Sequence, residues 1–317
     1  MNQLRFEPGV AEALASGRPV VALESALITH GFSFPANLHI AQRMEDAVRQ
    51  QGALPALVAV IDGEPRIGLT SAELAHLAST GRERHAEDLP PSRKISLRDL
   101  PLALAQGMSG GTTVAATMHL ARLAGIQVFA TGGIGGVHRH HPEDVSADLT
   151  ALGSIPITVV CSGAKAILDL PRTREILETR GVPVVGYRTA VFPAFYSRES
   201  SLNVDAAVRT PREVALLAAA RTTLDLSAAL LVCVPVPQEQ ELPAPQAEAV
   251  IDRALDEAAA AGVSGSDLTP FLLTRIVELT GGRAQRANQA LLVNNARVAA
   301  DIARALARTY PPGTAHP

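Results

Sequence analysis

The sequence predicts an α/β protein, a three-layer α/β/α sandwich with a mostly parallel central sheet. Short apolar runs rich in β-branched residues recur along the chain and are typical of buried strands; they span 19–23, 126–130, 157–161, 183–187 and 229–234. Stretches with a helical spacing of apolar residues lie between them, including 35–51, 114–124, 166–179 and 210–224. Strands that alternate with helices in this way form a parallel sheet that helices cover on both faces.

We expect the whole chain, 1–317, to form a single domain with flexible tails at 1–8 and 310–317. The segment 235–245 is rich in Pro, Gln and Glu and is the most linker-like part of the chain. Three further helices are predicted after it, at 246–261, 270–279 and 284–307.

Local signals predict two connections. Asp62-Gly63 stands between two apolar runs, 57–61 and 65–69, and this dipeptide is typical of a tight hairpin turn. The polar, charged segment 81–91 predicts an exposed loop.

Composition excludes several classes of function. The net charge is −3, aromatic residues make up 3% of the chain and Trp is absent, so neither a basic nucleic-acid surface nor a base-stacking platform is expected. The first residues lack the pattern of a signal peptide, and no apolar run is long enough to span a bilayer. Cys161 and Cys233 lie in apolar segments without metal-binding spacing, which indicates buried free thiols and a cytoplasmic protein.

Lysine is rare in this chain. Lys and Arg together number 28, yet Lys94 and Lys165 are the only lysines in the sequence. Arg stays protonated, whereas a desolvated Lys can lose its proton and attack a carbonyl. Both lysines lie in loop-like sequence, so they are the first candidates for chemistry.

Two glycine-rich segments and one acid lie near predicted strand ends. Glu24 follows the strand 19–23, where α/β proteins place ligands. The segment 108–113 is predicted to be a glycine-rich loop that leads into the helix 114–124 and offers an anion site. The segment 131–138 has the wrong glycine spacing for a dinucleotide fingerprint, so NAD binding is not favoured.

A cluster of His and acidic residues follows, from 138 to 148. We interpret His140-His141 as part of a polar surface loop. Asp144 and Asp148 are four residues apart, so we expect them to project from one face of a helix start and to suit a hard divalent cation.

Three hypotheses compete for Lys165. Ser162-x-x-Lys165 has the spacing of an acyl-serine hydrolase, although the other motifs of such enzymes are absent. Alternatively, Lys165 itself forms an imine with a sugar aldehyde, while Glu24 acts as acid/base and Lys94 anchors a phosphate and lowers the pKa of Lys165 by like-charge proximity. The third hypothesis is a non-catalytic sugar-phosphate-binding protein.

Long segments of the chain resemble one family. They include VALESALITHGF from Val21, KISLRDL from Lys94, GGTTVAATMHLARLAGIQVFATGGIGGVHR from Gly110, VVCSGAKAILDLPRTREILETRGVPVVGY from Val159 and FPAFYSRES from Phe192. These segments are similar to the pseudouridine-5′-phosphate glycosidase family, also called indigoidine synthase A-like, over about residues 20–300.

The resemblance implies an enzyme that reversibly cleaves the C–C glycosidic bond of pseudouridine 5′-phosphate to uracil and ribose 5-phosphate, through a lysine imine with ring-opened ribose. It implies one divalent ion per subunit, usually Mn²⁺, and a homotrimer. By motif, Lys165 is the nucleophile, Glu24 the proton donor and Asp144 the metal ligand. The positions that match substrate contacts are Lys94, Val114, His138, Ser146, Ala147, Asp148 and Asn288.

Three segments depart from the family pattern. The loop 138–144 is shorter and richer in His, 187–191 replaces a more acidic stretch, and 233–237 lacks a usual Asn. The change in 138–144 affects the assignment of the metal ligand, and the change in 233–237 removes one polar contact of the pocket.

Overall fold

The part of the chain that the structure describes contains a central sheet of 11 strands and a small sheet of three. The computed structural model describes residues 4–81, 91–139, 141–263 and 268–309. In chain order the strands are β1 (Arg5–Phe6), β2 (Val20–Leu23), β3 (Leu54–Ile61), β4 (Glu64–Ile67), β5 (Arg93–Ile95), β6 (Gly110–Thr112), β7 (Val128–Ala130), β8 (Val137–His138), β9 (His141–Val145), β10 (Thr158–Cys161), β11 (Leu168–Asp169), β12 (Val184–Tyr187), β13 (Ala206–Val208) and β14 (Leu230–Cys233).

The centre of the large sheet is parallel. Seven adjacent strands run in one direction in the order β3-β2-β7-β10-β14-β12-β13. Antiparallel pairing within this sheet, among the described residues, occurs only where β4 and β6 pair with β3. The mostly parallel sheet is therefore confirmed. Cys161 and Cys233 face each other across β10 and β14 as buried free thiols, as predicted.

Two groups of helices cover the sheet. The helices are α1 (Pro8–Ala15), α2 (Ala26–His30), α3 (Ala36–Gln50), α4 (Ser71–Ser79), α5 (Leu100–Ala105), α6 (Val114–Leu123), α7 (Ala147–Leu152), α8 (Leu170–Thr179), α9 (Pro211–Thr223), α10 (Ala244–Ala260), α11 (Leu268–Leu279) and α12 (Arg283–Thr309).

The long helix α12 packs against α3, α9 and the central strands, while α6, α7 and α8 pack beside one another. Both groups contact the central strands, α12 at β2, β7 and β10 and α6 at β2 and β3, which gives the predicted α/β/α sandwich. Within the described ranges, no helix combines the length and the apolar character that crossing a membrane requires.

The local predictions at the first hairpin are confirmed. Strands β3 and β4 pair antiparallel around Asp62 and Gly63, whose φ angles of 50° and 74° are those of a tight primed turn. Thr70 then caps α4, because its hydroxyl accepts the N–H of Glu73 while the Glu73 carboxylate accepts the N–H of Thr70.

The prediction of a flexible tail over residues 1–8 is wrong from Arg5 onward. Arg5–Phe6 pairs in parallel with β4, and Pro8 begins α1, where the Glu7 side chain accepts the N–H of Val10. The apolar side chain of Val10 is buried in the core, which explains why this segment is ordered. Residues 1–3, the tail 310–317 and most of the predicted loop, 82–90, lie outside the described residues.

The segment 235–245 is not a linker. Val236 and Leu242 are both buried, and their carbonyl groups accept hydrogen bonds from Arg198 and Ser197. Two apolar anchors within a Pro-rich stretch fix it to the rest of the domain.

Two elements near the predicted site also differ from expectation. The glycine-rich segment before α6 is a strand, and a Cβ on Gly110 would lie 2.2 Å from the Arg93 carbonyl oxygen, so glycine here permits close strand approach. The helix predicted to begin at 166 begins at Leu170, because Leu168–Asp169 pairs with β8 in the small sheet.

Candidate active site

Glu24, Lys94 and Lys165 line one cavity of about 90 Å³. Glu24 directly follows β2, and Lys165 lies in the connection after β10, on strands that flank β7 in the parallel sheet. Lys94 reaches the cavity from β5. This strand is joined to β3 through β6, outside the run of seven parallel strands. The carboxyl ends of parallel strands meet at one edge of the sheet, where α/β proteins bind ligands.

Glu24 is buried, with 7% of its surface exposed. The Thr131 hydroxyl, at the end of the neighbouring β7, donates a hydrogen bond to its carboxylate. Burial raises the pKa of Glu24, while the positive charge of Lys165 and the Thr131 hydrogen bond partly oppose that rise. Glu24 therefore keeps a proton to higher pH than an ordinary glutamate, which suits a proton donor.

The backbone of Lys165 lies at the start of a turn between β10 and β11 rather than at a helix start. Its N–H donates to the Ile134 carbonyl at 3.0 Å, and its own carbonyl accepts the N–H of Leu168 at 3.0 Å. Gly163 precedes it with φ of 79°, and a Cβ there would lie 2.1 Å from the Pro193 carbonyl oxygen. The tight backbone contacts on both sides fix where the Lys165 side chain leaves the main chain.

Lys94 is an exposed residue whose side chain nevertheless lines the cavity. Loss of hydration lowers the pKa of Lys94, and the charge of Lys165 lowers it further, while Asp148 and Glu24 act in the opposite direction. The charge of Lys165 therefore acts on Lys94 within this cavity.

Asp148 and Asp144 do not share a helix face, so that prediction is wrong. Asp144 lies on the exposed strand β9, whereas Asp148 lies in the first turn of α7 and is 6% exposed. The Asp148 carboxylate accepts the N–H of Ala115 at 3.0 Å and of Gly135 at 2.8 Å. It thus ties the start of α6 to the glycine-rich loop, and its charge acts on both Glu24 and Lys94.

Asp144 faces His138 across the small sheet. The His138 Nε2 and Asp144 Oδ2 atoms are 3.9 Å apart. Burial lowers the pKa of His138, Asp144 opposes this, and Lys165 adds to it, which leaves a neutral imidazole with a free lone pair at neutral pH. Within the described ranges no group of three or more His, Cys, Asp or Glu residues converges to hold a metal ion, here or at any other place. One carboxylate and one imidazole fit a divalent ion that takes its other ligands from water or substrate.

The other residues predicted to contact substrate differ in whether they line the cavity. Asn288, on α12, lines it and also lines an adjoining cavity of about 660 Å³ with His30 and Phe32. Val114 begins α6, and Ser146 caps α7 ahead of Ala147, with its hydroxyl accepting the Asp148 N–H at 3.2 Å. These three residues are not among those that line the small cavity.

Ser162 does not face the cavity. It is fully buried, and its hydroxyl donates to the Asn295 side chain at 3.3 Å. This geometry speaks against Ser162 as a nucleophile with Lys165 as its base.

The sequence predicts that the aromatic-rich segment 192–200 is a loop that lines a pocket, and Phe195 of this segment lines the cavity. A Cβ on Gly133 would lie 2.7 Å from the Phe195 ring. Sequence reasoning missed Thr131 and Asn295. Thr131 follows a buried strand directly, a position that could have drawn attention to it. Asn295 is a fully buried polar residue on the apolar face of α12, which is the signal that could have identified it.

The chain is similar to known proteins over nearly its whole length. The family model described as "Indigoidine synthase A like protein" matches residues 9–305. A curated relative from Methylobacterium nodulans, called pseudouridine-5′-phosphate glycosidase, is 52% identical over 96% of this chain and 88% of its own length.

Two solved structures share the fold. An indigoidine synthase A-like protein from Thermotoga maritima is 34% identical with a TM-score of 0.86, over 96% of this chain and 97% of that one. The prealnumycin C-glycosynthase AlnA, solved in complex with ribulose 5-phosphate, is 38% identical with a TM-score of 0.88, over 98% of both chains. From the match over nearly its whole length, this chain belongs to the indigoidine synthase A-like family.

Proposed function

We propose that this protein is a pseudouridine-5′-phosphate glycosidase. It cleaves the bond between ribose C1′ and uracil C5 with water, and the reaction is reversible. The observation that carries the proposal is the meeting of a buried glutamate with a raised pKa and a lysine in one cavity, in a chain 52% identical to a relative of that name.

A C–C glycoside has no heteroatom in its leaving group that a carboxylic acid could protonate. The usual pair of catalytic carboxylates is therefore not sufficient to break this bond. Lys165 Nζ bonds to C1′ while the C1′–O4′ bond breaks, and O4′ takes up a proton from that nitrogen. The nitrogen lone pair then forms the C1′=N imine (a Schiff base) as the C1′–C5 bond breaks. Uracil C5 takes the electron pair and the proton of Glu24.

Water then hydrolyses the protonated imine to ribose 5-phosphate and the Lys165 ammonium. That ammonium returns one proton to Glu24, so both groups are restored and the atoms balance. Burial raises the pKa of Glu24, which favours the protonated form that the bond-breaking step needs.

The remaining residues bind and orient the substrate in this proposal. Lys94, which lines the cavity, supplies a cation for the phosphate. Val114, Ser146, Ala147 and Asp148 contact the substrate from the starts of α6 and α7, outside the residues that line the cavity. Asn288 and His138 contact the rest of the substrate.

Asp144 and His138 would hold one Mn²⁺ per subunit, with water completing its ligands. When bound, such an ion supplies a positive charge that stabilises oxygen anions.

We also propose a cytoplasmic homotrimer. Leu216, Leu217, Leu224 and Leu226 are exposed apolar residues in and just after α9, which is the composition expected where subunits meet. Two free buried thiols suit a reducing compartment. Sedimentation equilibrium measures the subunit number directly, and a monomer at micromolar concentration would contradict the trimer.

The test of the function combines turnover with trapping. Pseudouridine 5′-phosphate should be converted to uracil and ribose 5-phosphate, and borohydride with ribose 5-phosphate should leave a mass adduct on Lys165. Lys165→Arg keeps the charge but cannot form the neutral amine nucleophile, so it should lose both the turnover and the adduct.

The alternatives give different results. A binding protein would show ribose 5-phosphate binding without turnover, and Lys165→Arg would leave its function intact. An acyl-serine enzyme would carry its covalent label on Ser162, and Ser162→Ala would abolish that label. An adduct that persists in Lys165→Arg would contradict the imine mechanism.

A further inference from the structure

The carboxyl ends of β7 and β10 are joined by one side chain from outside the sheet. Asn295 lies on α12 and is fully buried. Its Nδ2 donates to the Thr131 carbonyl at 2.9 Å and to the Ser162 hydroxyl oxygen at 3.1 Å, and its Oδ1 lies 3.3 Å from the same hydroxyl, which can donate to it. The Asn295 amide therefore contacts both strand ends, Thr131 through Nδ2 and Ser162 through both of its polar atoms.

These strand ends carry the two groups of the proposed chemistry. Thr131 donates its hydroxyl to Glu24, so the Thr131 backbone sets where the acid is held. Ser162 begins the connection that leads to Lys165. Its N–H donates to the Gly132 carbonyl at 2.8 Å, and Ile134 and Lys165 continue the same backbone ladder.

We propose that Asn295 is a positioning residue that locks the acid-bearing and the nucleophile-bearing strand ends in one register. This rests on the proposed function for the roles of Glu24 and Lys165, but the clamp itself is a property of the fold. Asn295 touches neither the cavity nor the groups that react, since it is not among the residues that line the cavity.

The burial of Asn295 explains why a polar residue is retained there. An amide placed among apolar neighbours costs stability unless its donors and acceptor are satisfied. Here the satisfied bonds reach across two strands, and a fully connected buried network specifies one arrangement of its partners. The same contact gives Ser162 a role that does not require a nucleophilic hydroxyl.

The test compares Asn295→Ala with Asn294→Ala. Asn294 is its half-buried neighbour on the same helix, and its side-chain oxygen accepts a hydrogen bond from Arg297, one turn further along α12. With pseudouridine 5′-phosphate, Asn295→Ala should lower kcat by about 100-fold, the loss that a misplacement of about 1 Å causes, with KM changed less than about threefold. Asn294→Ala should leave both constants unchanged.

A second measurement does not depend on turnover. Amide hydrogen exchange should become at least about tenfold faster at Ser162, Ile134 and Lys165 in Asn295→Ala, with exchange elsewhere in the sheet unchanged. Ser162→Ala removes one arm of the clamp without removing Asn295, so it should show the same pattern at smaller amplitude and serves if Asn295→Ala does not fold.

Three outcomes separate the possibilities. A kcat within threefold of wild type in both Asn295→Ala and Ser162→Ala overturns the proposal. So does uniformly faster exchange across the sheet, because that is general destabilisation. If wild-type protein shows no turnover at all, the proposed function fails, and the local exchange pattern alone decides whether Asn295 is the clamp.

Discussion

The Thr131 hydroxyl donates a hydrogen bond to the buried Glu24 carboxylate, so the acid of the site is held by the end of the neighbouring strand. This bond favours the ionised form of Glu24, and burial favours the protonated form. Burial is the larger influence. The pKa of Glu24 thus depends on both effects, and removal of the Thr131 hydroxyl alone should change it.

Thr131→Val removes that hydroxyl with little change in volume. The pKa of Glu24 should then rise further, because a bond that favours the carboxylate is lost. If Glu24 is the proton donor, activity falls as pH rises through its pKa, so this falling limb of kcat against pH should move to higher pH. Lys165, Asp148 and Lys94 are the other charges that act on Glu24, and they are unchanged.

Thr158→Val is the matched control for this shift. Thr158 is also a buried threonine in the central sheet, but its hydroxyl has no hydrogen-bond partner and it begins β10 at the end away from the site. Its pH profile should match that of wild type. A falling limb that stays in place in Thr131→Val contradicts the assignment of that limb to Glu24.

Glu24→Gln tests whether the pKa of Glu24 is raised, through the pH dependence of the unfolding free energy. The folded protein binds the Glu24 proton more tightly than the unfolded chain, in which the pKa is near 4.5. Between 4.5 and the raised pKa the native state therefore holds more protons, so wild-type stability falls as pH rises, by at most about 1.4 kcal/mol per pH unit. Glu24→Gln lacks this titration.

Urea unfolding at a series of pH values measures the effect. The stability of Glu24→Gln relative to wild type should increase across this window and become constant above it. Parallel stability curves for the two proteins would show that the Glu24 pKa is not raised. Turnover should fall by about 10²–10⁴-fold in this variant, the usual contribution of a general acid.

The sequence predicted the central strands well because they are apolar, β-branched runs that are buried on both faces, as in β2 and β10. It failed where pairing partners decide the structure. Leu168–Asp169 carries a helical pattern but pairs with Val137–His138, and Gly110–Thr112 has low strand propensity but is held between β3 and β5. Contacts between residues far apart in the chain override local preference in both cases.

In the candidate site, too, local sequence identifies some residues, while contacts between distant residues determine the roles of others. Lys165 and Glu24 could be identified because a rare lysine and an acid at a strand end are visible in one dimension. Thr131 and Asn295 gain their roles from contacts with residues 107 and 133 positions away. A local pattern can draw attention to such a residue, but it does not identify the distant partner. Asp144 and Asp148 were paired by helical spacing, and the exposed strand β9 separates them.

Metal dependence is the third prediction. Chelation should lower turnover, and Mn²⁺ should restore it in wild type but not in Asp144→Asn, because the amide lacks the charge of the proposed ligand. Glu143→Gln is the control, since Glu143 lies on the same exposed strand and pairs with His141 rather than His138. Equal rescue of Asp144→Asn and wild type would show that Asp144 does not hold the ion.

Gly163→Ala tests how tightly the Lys165 connection is held. An alanine there must adopt φ near 79° and place its Cβ 2.1 Å from the Pro193 carbonyl oxygen. Gly181→Ala isolates the first cost, because Gly181 has φ of 68° but a methyl group on it would meet nothing within 4 Å. We expect Gly181→Ala to cost about 1 kcal/mol of unfolding free energy, and Gly163→Ala to cost about 1–3 kcal/mol more. Gly163→Ala should also lower kcat by about 100-fold through displacement of Lys165, whereas equal stability and activity of the two variants would show that this connection is free to move.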